Sequence, residues 1–214
     1  RVLFRSVSIV GDCYGVGMTR AVMLIAVLCA ILGGCAAQPE PEPVRIGAPV
    51  DPQMQMVAAL YRGALRAQGM TVAQPVVVAG DRALLDAMSA DDLDLFPSTV
   101  QALLATVLPP GSIAAETAAS APTEFGDGAY TLLSRSLPTG VVLGDPLSPG
   151  ASESAGQPVP VYRAVRFGRT DVKALNKVAG ELTPADLADM TRRWQSGQDR
   201  VALVDEWLGR HGFV

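Results

Sequence analysis

The chain has few of the residues that build disulfides, thiol chemistry or histidine-ligated metal sites. Its three cysteines are Cys13, Cys29 and Cys35, and its single histidine is His211. Residues 36–214 therefore contain no thiol, which excludes a disulfide, a cysteine-ligated metal and a cysteine nucleophile from that part of the chain. One histidine cannot form a multi-histidine metal centre, so we predict neither a metal site nor a cofactor.

Motifs of catalysis and of nucleic-acid binding are also missing. The net charge is −4 and no Lys- or Arg-rich run occurs, so nucleic-acid binding has little support. The chain has no Gly-x-x-x-x-Gly-Lys-Ser/Thr loop, so it is not itself an ATPase, and it has no Gly-x-Ser-x-Gly elbow. Its scattered carboxylates show no spacing that indicates acid–base chemistry. We therefore predict that the chain is not an enzyme and assign no catalytic residue.

The first residues read as a leader rather than as part of a folded domain. Residues 1–17 are predicted to be an artefactual or upstream extension, because the first six resemble a translated sequencing adapter. Met18 is then the expected initiator. The apolar run 21–32 is shorter than the roughly 20 residues that a membrane span needs, but it suits the apolar region of an export signal.

The end of this leader resembles a bacterial lipobox. Leu32-Gly33-Gly34-Cys35 predicts that residues 18–35 are a lipoprotein signal peptide with lipidation at Cys35. An ordinary secretory signal and a buried helix are the alternatives. The Pro- and Glu-rich residues 36–43 are typical of an extended tether, which disfavours both. We therefore expect a lipid anchor at the extracytoplasmic face of the cell membrane.

Short β-branched segments alternate with segments of helical period from residue 44 to residue 108. This alternation predicts an α/β fold with a mainly parallel sheet flanked by helices. Asp51 is the expected N-cap of the first helix and Asp81 of the second. Parallel sheets bind ligands at the carboxyl ends of their strands. The predicted strands, which should be neighbours, are 44–47, 76–78 and 94–96, and the predicted helices are 52–67, 81–88 and 99–108.

The pattern weakens after residue 108 and then returns. A helix ending at Leu137 and a short strand at 140–143 precede a Pro-, Gly- and Ser-rich loop. The last helix is predicted over 199–209, with its edge covered by Trp207. The residues that this helix is predicted to bury are Val201, Val204 and Leu208.

Two blocks of the chain resemble one protein family. Leu84-Leu85-Asp86-Ala87-Met88, followed by Asp92-Leu93-Asp94-Leu95-Phe96-Pro97, lies in the first block. Ala174-Leu175-Asn176-Lys177-Val178-Ala179-Gly180-Glu181-Leu182-Thr183 lies in the second. Both are similar to segments of the substrate-binding proteins of ABC importers for glycine betaine, choline, carnitine and related osmoprotectants.

The resemblance implies a periplasmic-binding-protein-like fold of type II. Within a solute-binding domain at 44–214, residues 44–108 and 159–214 would form the first lobe and 109–158 a reduced second lobe. The implied partners are a quaternary-amine solute and the permease and ATPase subunits of an importer. The alternative is a degenerate relative that acts as a non-transporting structural or protein-interaction surface lipoprotein.

The resemblance also implies a ligand site at two strand-to-helix corners. Proteins hold trimethylammonium groups in aromatic cages, and only 5% of this chain is aromatic. Phe96 and Tyr162 are the best two walls, with Tyr130 or Phe125 as a third, although core packing explains the same rings equally well. A ligand carboxylate would use backbone N–H groups at the first corner or the hydroxyls at the second. The predicted ligand-binding residues are Ala48, Pro49, Val50, Asp51, Phe96, Ser98, Thr99 and Tyr162.

Overall fold

Strands and helices alternate through the domain as the sequence predicts. The computed structural model describes residues 42–108, 111, 126–147 and 156–213. The predictions for the leader, the lipidation site and most of the tether lie outside these residues. The strands are β1 (Gly47–Ala48), β2 (Val76–Val77), β3 (Leu95–Thr99), β4 (Val141–Leu143) and β5 (Pro158–Arg163). The helices are α1 (Pro52–Ala67), α2 (Asp81–Ser89), α3 (Val100–Val107), α4 (Gly126–Ser136), α5 (Arg169–Glu181), α6 (Pro184–Gln195) and α7 (Arg200–Arg210), and a 3₁₀ turn (Ala164–Arg166) follows β5.

The strands form a two-stranded sheet, β1-β2, and a three-stranded sheet, β3-β5-β4, and one bridge between the two gives the overall order β2-β1-β3-β5-β4. β1 pairs in parallel with β2 through Gly47 and Val76, and a parallel bridge between Ile46 and Leu95 joins β1 to β3. The expectation that the first three strands are parallel neighbours is therefore confirmed.

The other half of the sheet is antiparallel, which differs from the expected mainly parallel sheet. β5 lies between β3 and β4 and runs antiparallel to both. Parallel pairing usually needs a helical crossover. The Pro-, Gly- and Ser-rich sequence between β4 and β5 has no helical period, so the chain returns in the opposite direction.

Helices cover both faces of the sheet, and each face has its own apolar core. The core against α1, α5, α6 and α7 includes Ile46, Leu95 and Trp207. The core against α2, α3 and α4 includes Phe96 and Val161. The described residues therefore form three layers, with the sheet between two layers of helices. No helix in the described ranges is both long and apolar enough to cross a membrane.

α1 shows why these residues form a helix at this position. The Asp51 carboxylate accepts a hydrogen bond from the backbone N–H of Met54 at 2.9 Å, and Pro52 occupies the first turn. A Cβ at Gly63 would lie 2.4 Å from Leu208 Cδ1. Glycine at this position therefore allows α1 and α7 to pack closely.

Three local predictions were wrong. Gly80, with a φ of +85°, is the N-cap of α2 in place of Asp81, because a turn with positive φ favours glycine. Val201 is 49% exposed, because the first turn of α7 extends past the core. Trp207 is fully buried rather than at the edge, since the C-terminal segment packs over it through Phe213.

Part of the predicted second lobe packs on this same sheet. α4 places Ala129 and Leu133 in the core that contains Phe96, and β4 pairs with β5. The rest of the range 109–158 lies mainly outside the described residues. The division of the chain into two lobes stays a prediction.

A buried carboxylate joins three segments at the amino end of β3. Asp94 is fully buried and accepts a hydrogen bond from the backbone N–H of Arg45 at 2.9 Å. The guanidinium groups of Arg45, Arg163 and Arg166 lie 3.2 to 3.4 Å from its carboxylate oxygens. Arg163 also pairs with Asp91 at 2.6 Å. We call this set the Asp94 cluster; it ties β1, β3 and the end of β5 together.

Candidate functional site

The strand order places a topological switch point at the carboxyl ends of β1 and β3. α1, which follows β1, packs on one face of the sheet, and α3, which follows β3, packs on the other. β1 and β3 are neighbours with connections that diverge in this way. Ligands of open α/β sheets bind at such a switch point.

The first corner of the candidate site joins β1 to α1. Ala48 is buried, whereas Val50 is 62% exposed. The Gln55 side chain donates to the Val50 carbonyl oxygen at 2.8 Å, and the Asp51 carboxylate caps α1. The helix N-terminus proposed for a ligand carboxylate thus already holds a carboxylate of the chain itself.

The second corner joins β3 to α3. The Ser98 side chain is only 2% exposed, and its hydroxyl donates to Asp81 Oδ1 at 2.7 Å. Thr99 Oγ1 accepts from the backbone N–H of Ala102 at 3.1 Å and caps α3. The two hydroxyls of this corner are therefore used to fix the corner itself.

Asp81 lies at the candidate site, although its sequence position predicted only the role of a helix cap. It lies in the first turn of α2, after β2, and its carboxyl group is half-buried against Ser98. Burial raises the pKa of Asp81, and the hydrogen bond from Ser98 acts in the opposite direction. An acidic residue before a helical pattern predicts a cap. Its place at the carboxyl end of a strand was the signal for a site.

A further carboxylate lies at the same end of the sheet. Both β4 and β3 run antiparallel to β5, so β4 ends on the same side as β3. Asp145 follows β4 and is exposed, and its backbone N–H donates to Asn176 Oδ1 at 3.3 Å. Asp51, Asp81 and Asp145 thus follow three strands that end on this side.

The predicted aromatic walls are not brought together. Phe96 is fully buried beneath α2, α3 and α4, whereas Tyr162 belongs to the core on the other face and meets Phe167 edge-on at 5.5 Å. The Tyr130 hydroxyl donates to the carbonyl oxygens of Leu143 and Gly144, at 3.3 and 3.1 Å. Phe125 lies outside the described residues.

The described residues show no cluster of three or more metal-ligating side chains. A cavity of about 260 Å³ exists at the far end of α1, where Gln68, Lys177 and Phe213 line it. We place the candidate site at the carboxyl ends of the strands instead, because the half-buried carboxylate of Asp81 lies where the sheet topology predicts a ligand site.

Comparison with known proteins identifies the fold. A scan against models of protein families and a search of curated proteins found no match. The structure of apo YehZ from Escherichia coli is similar over 81% of this chain and 100% of its own, with a TM-score of 0.61 and 10% identity. The crystal structure of a glycine betaine/carnitine/choline ABC transporter is similar over 79% of this chain and 99% of its own, with a TM-score of 0.60 and 9% identity. The resemblance noted in the sequence is thus supported at the level of the fold.

Proposed function

We propose that the chain is the lipid-anchored, extracytoplasmic solute-binding protein of an ABC importer. Its ligand would be glycine betaine or another quaternary-amine osmoprotectant. The likeness in fold to a glycine betaine/carnitine/choline ABC transporter supports this proposal. So does the leader sequence that ends at Cys35. Permease and ATPase genes next to the gene for this chain would add support.

The observation that carries the proposed ligand class is the half-buried carboxylate of Asp81. A quaternary ammonium group has no N–H to donate, so electrostatic attraction and contact must hold it. Attraction between charges grows as the surroundings become less polar. The hydrogen bond from buried Ser98 fixes the Asp81 carboxylate at the carboxyl end of the sheet. Asp51 and Asp145 add negative charge at the same end of the sheet.

The same geometry predicts a preference among quaternary amines. A ligand carboxylate would meet helix N-termini that Asp51 and Thr99 already cap. Asp51 would also repel it. We therefore expect choline, which has a hydroxyl in place of the carboxylate, to bind more tightly than glycine betaine.

Calorimetric titration with choline, carnitine and glycine betaine tests the proposal. Asp81→Asn should weaken choline binding at least about tenfold, because opposite charges about 4 Å apart near a protein surface attract by about 4 kcal/mol, and a tenfold change in affinity needs only about 1.4 kcal/mol. Asp86→Asn is the matched control, since Asp86 is exposed on the same helix. Absence of heat with all three ligands would contradict the proposed function, whereas equal affinity for choline in the wild type and Asp81→Asn would contradict the role of Asp81 alone.

A second function is favoured by the positions of the aromatic rings. Phe96 and Tyr162 serve the two cores, so neither is available to enclose a ligand. This observation favours a relative that no longer binds a solute and acts as a structural or protein-interaction surface lipoprotein. The same titration separates the two functions, because this one predicts no heat with any quaternary amine.

A further inference from the structure

Three arginines face one groove on the helical layer that contains α1. Arg62 and Arg66 lie on α1, and Arg200 begins α7. The chain leading into β2, at Gln74 and Pro75, forms another wall of the groove. The groove has a volume of about 40 Å³. We call this feature the arginine groove.

Contacts within the chain hold two of these arginines in position. Arg62 Nε donates to the carbonyl oxygen of Ala73 at 3.2 Å. The Arg200 guanidinium carbon lies 4.8 Å from the centre of the Trp194 ring. Arg66 is exposed in the last turn of α1. Each guanidinium group has five N–H donors, so most donors in the groove stay available to a ligand.

The charge of the arginine groove is unbalanced. Asp205 is the one carboxylate among the described residues that line it. Burial lowers the pKa of Arg62, Arg66 and Arg200 lower it further, and Asp205 acts in the opposite direction. Positive groups are therefore crowded together in a chain with a net charge of −4.

The Asp94 cluster shows what the groove lacks. There, too, three arginines converge, but they surround a buried carboxylate, and Asp91 adds a second one. The arginine groove has an equal number of guanidinium groups, no central acceptor and an open side. An anion from outside the chain would supply the missing acceptor.

We propose that the arginine groove is a binding site for an oxyanion, specifically a phosphate group. Three positive charges and one negative charge leave an excess that matches the charge of about −1.5 to −2 on a phosphate monoester. Guanidinium groups suit phosphate because their planar forks donate two hydrogen bonds at once. Asp81 does not line this groove, so its ligand is not the proposed solute.

Calorimetric titration of the purified chain with inorganic phosphate at low ionic strength tests this site. We expect saturable binding that weakens as sodium chloride is added, because salt screens exposed charges. Arg66→Ala and Arg200→Ala should each weaken binding about tenfold, in line with the loss of hydrogen bonds to a charged group. Arg192→Ala is the matched control, because Arg192 is exposed on α6 and pairs with Asp189 outside the groove.

A second arm distinguishes a free phosphate from a lipid headgroup. Sedimentation with vesicles of phosphatidylglycerol and of phosphatidylcholine is compared for the wild type, Arg66→Ala and Arg200→Ala. Stronger binding to phosphatidylglycerol that both variants reduce identifies a headgroup as the source. Phosphate binding without this preference identifies a free phosphate compound. If phosphate and phosphatidylglycerol both fail to bind, or if the two variants bind like the wild type, the site does not exist.

Discussion

Phe96 and Tyr162 lie on adjacent strands but on opposite faces of the sheet. Phe96 opposes Val161, and Tyr162 opposes Leu95. Directly opposed residues of antiparallel strands share a face, and each of these two pairs belongs to a different core. The two rings therefore cannot form the walls of one aromatic cage.

Replacement of Phe96 should affect stability rather than recognition. We expect Phe96→Ala to lower the free energy of unfolding by about 3–5 kcal/mol, because it leaves a cavity in a closed core. Phe96→Leu refills most of that volume and should retain the choline affinity of the wild type. Urea denaturation and calorimetry measure the two effects. A Phe96→Leu variant that keeps its stability but loses choline binding would restore a ligand-facing role for the ring.

Replacement of Asp94 should lower the stability of the fold more than replacement of most other polar residues. Asp94→Asn removes the charge on which three guanidinium groups converge, and the loss of one partner of a buried ion pair costs about 3–5 kcal/mol. Because the arginines are partly exposed, we expect a value near the lower limit, measured by urea denaturation. Asp189→Asn is the control, since it disrupts only exposed pairs with Arg192 and Arg193. Equal midpoints for both variants would mean that the Asp94 cluster does not stabilise the fold.

Gly63 should be sensitive to the addition of a single methyl group. A Cβ there would overlap with Leu208, and overpacking of a core costs about 1–3 kcal/mol. Gly180→Ala is the matched control, because a Cβ at this position in α5 meets nothing within 4 Å. Alanine also favours a helix over glycine by about 1 kcal/mol. Thermal unfolding should therefore show a lower midpoint for Gly63→Ala and an equal or higher midpoint for Gly180→Ala.

The raised pKa of Asp81 predicts how stability depends on pH. The ordinary pKa of an aspartate is 3.8, and burial raises the pKa of Asp81 in the folded state. As pH rises between these two values, the unfolded chain loses this proton before the folded chain does. The contribution of Asp81 to stability therefore falls over that interval and is constant above it. In Asp81→Asn, urea denaturation across that pH range should no longer show the fall in stability that Asp81 causes.

The affinity for choline should depend on pH in the opposite sense to the stability. A bound cation favours the ionised carboxylate, so the affinity should rise as pH increases through the raised pKa of Asp81. In Asp81→Asn this part of the pH dependence should be absent. A wild-type affinity that stays constant over the same interval would show that Asp81 does not contact the cation.

The predicted anchor can be tested at one residue. Cys35→Ala should abolish incorporation of a fatty-acid analogue during growth, because no other thiol lies at the predicted cleavage site. Cys29→Ala is the control and should retain the label. Labelling that persists in Cys35→Ala would contradict the lipobox.

Local structure could be predicted from the sequence where the signal was itself local. The helix 52–67 has the predicted bounds, because Asp51 and Pro52 define its start and Gly69 follows its end. The three parallel strands could be predicted because helical segments separate them in the chain. Both features depend on neighbouring residues, so the pattern along the chain was sufficient.

The remaining features depend on partners far apart in the chain. A shift of one residue in register moves a side chain to the other face of a strand, and no local pattern fixed how Leu95 and Phe96 align with β5. The partnership of Asp81 with Ser98 and that of Asp94 with three arginines likewise arise only when distant segments meet. The two strand-to-helix corners could therefore be predicted from the sequence, whereas the side-chain partners of the residues within them could not.

The position of β1 has a consequence for how the chain acquires its structure during synthesis. This strand lies inside the sheet although it precedes the other described strands in the chain, and β3 depends on β5 for its other neighbour. Helices α5, α6 and α7, which follow all the described strands, bury much of the face that contains Ile46 and Leu95. A nascent chain that lacks them would expose that face to water, and such surfaces recruit chaperones. The sheet is thus covered on both faces only after α5, α6 and α7 have been made.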